Sequence, residues 1–77
     1  MKVLVLENSR LYQKTVREIL EEVRCEVDCV GSGEEGLRLL DGNGYNLIIA
    51  GQNIFDDSGS AFIEYCRKHV NHCPILL

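Results

Sequence analysis

Two short apolar runs constrain the fold of this chain more than anything else in it. "KVLVL", Lys2 to Leu6, and "NLIIA", Asn46 to Ala50, are short and nearly free of polar residues. A strand with one wet face alternates apolar and polar residues, whereas a run of this kind marks a strand covered on both faces. Strands covered on both faces belong to parallel sheets, whose members are joined by crossovers, usually helical.

The segments between the runs supply those crossovers. After Leu6, "ENS" offers Asn8 or Ser9 as a helix N-cap. Tyr12, Val16, Ile19, Leu20 and Val23 then recur at helical spacing, opposite Arg17, Glu18, Glu21, Glu22 and Arg24. "CEVDCV", Cys25 to Val30, alternates and predicts an exposed or edge strand. "GSGEEGLRLL" predicts a turn and a short helix burying Leu37, Leu39 and Leu40, with Ser32 and Glu35 at capping-box spacing. "DGNG", Asp41 to Gly44, ends that helix. Ser58 or Gly59 opens a third helix, with Phe62, Ile63 and Cys66 inward and an end near His69, and "CPILL" begins a fourth strand. The alternation β-α-β-α-β-α-β over residues 1–77 predicts one α/β domain of three layers, with a parallel sheet of flavodoxin-like or Rossmann-like kind.

Composition narrows the class of partner. The net charge of −4 argues against nucleic acid or an anionic membrane, both of which call for a basic surface. No run approaches the roughly 20 apolar residues of a membrane span, and the N-terminus is too short in apolar residues for a signal peptide. A cytoplasmic protein is therefore expected. In that setting Cys25, Cys29, Cys66 and Cys73 are expected to act as small hydrophobes rather than a disulfide scaffold. Cys25 and Cys29, four apart on a strand, stand about 13 Å from each other, too far to bond.

Three clusters could carry chemistry. Gly31, Gly33 and Gly36 fit G-x-G-x-x-G, a dinucleotide fingerprint. They follow the second strand rather than the first, however, and Glu34 and Glu35 stand where phosphates would lie. A capped turn into a helix accounts for the same residues. Cys66, His69, His72 and Cys73 have ligand types that suit Zn²⁺. With Cys66 on the core face and Cys73 opening a strand, they are not expected to converge, and no metal or cofactor is expected. Asp56 and Asp57 fall where first-turn acids stabilise a helix N-terminus, with Ser58 as cap.

The whole pattern resembles the receiver domain of two-component response regulators. The resemblance is carried by "KVLVLENS", the helix after it, "VDCVGSGEEGLRLL", "YNLIIAGQNIFDDSG", "AFIEYCRKH" and "CPILL", all in the family's order. It corresponds to about the first two-thirds of a receiver, and so implies a truncated sheet of order 2-1-3-4. In that family an aspartate ending the third strand accepts a phosphoryl group from a histidine kinase, and acids after the first strand help to hold Mg²⁺. The resemblance places the acid pair on Glu7 and Asn8 and the acceptor on Gly51. The family's usual proline is Phe55 here, and the glycine ending the loop is Gly59.

Gly51 has no nucleophilic oxygen, and Asn8 offers Mg²⁺ a neutral carbonyl in place of a carboxylate. The resemblance thus implies a degenerate, non-phosphorylatable receiver, not an enzyme, with Glu7, Asn8 and Gly51 as the remains of the acidic pocket. An acceptor displaced to Asp56 or Asp57 is the alternative. With strand order 2-1-3-4 the first helix lies alone on its face and leaves apolar sheet bare. The edge formed by Pro74, Ile75, Leu76 and Leu77 would be unpaired. A homodimer through the fourth strand and this sheet face is therefore expected.

Overall fold

The computed structural model describes residues 1–51, 57–70 and 73–76. Four strands, β1 (Lys2–Leu6), β2 (Glu26–Val30), β3 (Leu47–Ala50) and β4 (Ile75–Leu76), alternate with the helices α1 (Arg10–Glu22), α2 (Gly33–Leu40) and α3 (Asp57–His69). All pairings are parallel and the sheet order is β2-β1-β3-β4, the predicted order. β1 is central, with Leu6 level with Val30 on one side and Ala50 on the other.

Side chains alternate across the pleat, so each inner strand feeds two cores. Leu4, Leu6, Ile48 and Ala50 point toward α2 and α3, where they meet Val30, Tyr45, Phe62, Ile63, Cys66 and Cys73. Val3, Val5 and Val27 point toward α1, with Val16, Leu20, Leu47 and Ile49 packed around them. This double covering is why "KVLVL" and "LIIA" carry almost no polar residue. The expected inward residues of α3 all face the core, and Leu37, Leu39 and Leu40 pack against it from α2.

The helix ends follow local chemistry. Ser9 caps α1, its hydroxyl accepting from Tyr12 N–H. The α2 cap is a reciprocal box: Ser32 Oγ accepts from Glu35 N–H, and Glu35 Oε2 accepts from Gly31 N–H. α1 ends with Arg24 in the left-handed region, φ 64°, while Cys25 N–H bonds Leu20 O across the turn.

The apolar stripe expected to bury α1 is only half used. Val16 and Leu20 reach the sheet, but Tyr12, Ile19 and Val23 are exposed, Ile19 by 60% and Val23 by 69%. The reason is where the helix sits. Arg17 Nη1 donates to Val27 O at 2.9 Å and holds α1 over β2. Successive helical residues step about 100°, which puts Tyr12, Ile19 and Val23 on the flank turned away from β2. Among the described residues, no other helix shares that face of the sheet.

Candidate functional site

In an open parallel sheet, ligands bind beyond the carboxyl ends of the strands where the crossovers change direction. Here α1 leaves β1 on one face while α2 and α3 occupy the other, so the change falls between β1 and β3. The residues just past those two ends are Glu7 and Gly51. Glu7 N–H bonds Val30 O at 2.9 Å and Gly51 N–H bonds Leu6 O at 2.7 Å, extending the ladder by one step on each side of β1.

Glu7 is a charged side chain only 8% exposed. Its Oε2 accepts from Ser9 N–H at 2.9 Å, and its backbone carbonyl accepts from the Gln13 amide. A buried carboxylate is costly unless hydrogen-bonded, and the N-cap residue of α1, Ser9, meets that need with its backbone amide. The rest of the carboxylate lies over Gly51. A Cβ built at Gly51 would overlap Glu7 Oε1 and lie 3.0 Å from Cδ. Asn8 is exposed beside the pair. The family resemblance groups Glu7, Asn8 and Gly51, but the contact between the first and the last is visible only in the fold.

Among the described residues, a hard dication at this point would find one carboxylate, already engaged by Ser9 N–H. Among the described residues no three acidic, histidine or cysteine side chains gather. That described donor set, taken alone, does not fit a Mg²⁺ cage, which relies on carboxylate charge and near-octahedral oxygen geometry. Asp56 and Phe55, and the side chains of Asp57 and Ser58, lie outside the described residues.

The other clusters have structural uses. The amides a pyrophosphate would take at Gly31 and Glu35 are held by the capping box, and Gly36 packs against the Phe62 ring. Cys66 and Cys73 are buried free thiols in the core. Burial, then the neighbouring Cys73, pushes the Cys66 thiol up to about 11, away from the thiolate a metal would need. His69 sits on the exposed side of α3 with its ring 4.7 Å from that of Tyr65, and His72 lies outside the described residues. The sequence also gives no sign of the partly buried contact in which the Tyr45 hydroxyl donates to Asp28 Oδ2 at 2.6 Å.

These features define a doubly wound, flavodoxin-like α/β domain. No protein-family model matches the chain. It is 30% identical over all 77 residues to the transcriptional regulatory protein PmrA of Pectobacterium parmentieri, of which it spans 35%. Among solved structures it is similar to the response regulator TrrA of Thermotoga maritima, in complex with Mg²⁺ and beryllium fluoride, with a TM-score of 0.87 at 26% identity. That likeness covers 99% of this chain and 66% of TrrA. The chemotaxis response regulator CheY4 of Vibrio cholerae gives a TM-score of 0.85 at 25% identity, over 96% of this chain and 63% of that one. A CheY-like receiver domain from Methylobacillus flagellatus gives 0.76 at 28%, over 87% and 57%. The chain belongs to the receiver domains of two-component response regulators. It spans about a third of the curated relative and about two-thirds of the solved ones. Among the described residues, no helix is long and apolar enough to cross a membrane.

Proposed function

We propose that this receiver domain is degenerate: it takes no phosphoryl group at the strand-end site, is not an enzyme, and works as a protein–protein interaction module in signal transduction. One observation carries the reading. The residue just past β3, where a nucleophilic carboxylate would stand, is Gly51, and the one buried carboxylate among the described residues, Glu7, is bound to the α1 N-terminus. Acyl phosphate formation needs a carboxylate oxygen to attack phosphorus while the bond to the donor's leaving group breaks. Glycine has no such oxygen.

The test is incubation with acetyl phosphate and Mg²⁺ followed by intact mass. The expected result is an unchanged mass. A hydroxylamine-labile gain of about 80 Da, the mass of a phosphoryl group on a carboxylate, would overturn the reading and point to a displaced acceptor such as Asp56 or Asp57.

The partner we propose is a second copy of the chain, met through the outer edge of β4 and the adjoining sheet face. Three features support this surface. Among the described residues β4 is paired only with β3, Leu76 is 54% exposed, and the Tyr12, Ile19 and Val23 flank of α1 lies bare on that side of the sheet. An unpaired edge beside apolar surface favours association. Sedimentation should show a dimer at micromolar concentration, and a stable monomer there would refute the dimer.

A further inference from the structure

Gly51 is glycine for reasons of space, not conformation. Its backbone lies outside the left-handed region, so an ordinary residue could adopt it. Space is different: a Cβ would overlap Glu7 Oε1, approach Glu7 Cδ to 3.0 Å, and meet Leu6 O at 3.4 Å. Only the last is an ordinary contact. Among the described residues the obstacle is therefore a single side chain, and one that cannot swing away freely. Glu7 is buried, Ser9 N–H holds its other oxygen, and its backbone is fixed on both flanks through Val30 O and Gly51 N–H by way of Leu6 O.

We infer that Glu7 and Gly51 are an interlocked pair in which the Glu7 carboxylate fills the space of the phosphoacceptor side chain and closes the site. This rests on the reading that Gly51 stands at the acceptor position, and it goes further. The site lacks a nucleophile, and the place for one is taken by a carboxylate that also repels the phosphate of any donor. Restoring an aspartate at position 51 is then not enough by itself, because its first carbon has no room while Glu7 stays where it is. Glu7 is a blocking and positioning residue; it is held in place by the helix amide, and Gly51 admits it.

A double-mutant cycle in thermal stability tests this without relying on phosphorylation. Gly51→Ala should lower Tm by on the order of 5–10 °C, because Glu7 must give up the Ser9 amide or the β1–β3 ladder must part. In a Glu7→Ala background the same substitution should shift Tm by less than about 2 °C, since the next nearest atom among the described residues, Leu6 O, stands at ordinary contact. In a Glu7→Gln background, which keeps the bulk and removes the charge, the full penalty of Gly51→Ala should return. Equal effects of Gly51→Ala with and without the Glu7 side chain would overturn the interlock. Loss of the penalty with Gln would overturn its steric basis. A phosphoryl adduct on the unmodified chain would instead sink the reading of an inert site and leave the coupling standing, so the two failures are separable.

Discussion

Gly36→Ala sets two known effects against each other, and the structure decides between them. Gly36 lies inside α2, where alanine is favoured over glycine by about 1 kcal/mol. Against that, a Cβ there would meet Phe62 Cε2 at 2.8 Å, Phe62 Cδ2 at 3.0 Å and Leu6 Cδ1 at 3.4 Å. Carbons pack best near 3.5–4.0 Å, so the ring would have to retreat by roughly 0.5–1 Å. It has nowhere to go: Phe62 is fully buried, wedged among Leu4, Leu6, Ile48 and Cys66. Overpacking of such a site costs about 1–3 kcal/mol. The net expectation is a loss of about 1 kcal/mol, or a Tm lower by roughly 4–8 °C for a chain of this size. Thermal and urea unfolding of Gly36→Ala should be read beside Gly31→Ala, whose added carbon meets nothing within 4 Å. A Gly36→Ala variant as stable as the parent would refute the close approach of α2 to α3. In a Phe62→Leu background the Gly36→Ala penalty should shrink, since the offending ring atoms are gone.

Three further outcomes are expected. Tyr45→Phe removes a hydroxyl that donates to Asp28 Oδ2 at 2.6 Å and should cost about 1.5–3 kcal/mol by urea unfolding, with the loss largely absent in an Asp28→Ala background, which has no acceptor. Arg24→Gly relieves a side-chain-bearing residue at φ 64° just past the α1 cap and should stabilise by about 0.5–1 kcal/mol in the same assay. The Cys66 thiol, raised from 9.0 to about 11 by burial and by Cys73, should alkylate slowly near neutral pH. Because folding holds that proton more tightly than the unfolded chain does, its contribution to stability is whole below pH 9 and is lost as pH rises through about 11. Unfolding free energy should therefore fall across that window by more in the parent than in Cys66→Ala.

Which strands are covered was legible because burial on both faces leaves its mark in one dimension, whereas the strand order followed from the family resemblance. "KVLVL" and "LIIA" read as strands covered on both faces and are the two inner strands, and the alternating "CEVDCV", read as an exposed or edge strand, lies at an edge. Caps were equally local: Ser9, Ser32 and Glu35 act on amides within a few residues of themselves. The stripe on α1 shows where such reading stops. Periodicity marked Tyr12, Ile19 and Val23 as one apolar face with Val16 and Leu20, yet which part of that face meets the sheet depends on Arg17 reaching β2.

The sequence by itself determined the layer architecture and the place of Glu7 and Gly51 at the ends of β1 and β3, because both follow from hydrophobic period and chain order. The tertiary structure alone decided that those two residues compete for one volume. Glu7 and Gly51 are far apart along the chain, and only the parallel register that sets Leu6 beside Ala50 brings a carboxylate over the glycine. The same holds for Gly36 against Phe62 and Tyr45 against Asp28. Contacts between distant residues depend on register and on packing distances of a few tenths of an ångström, and these belong to the folded chain.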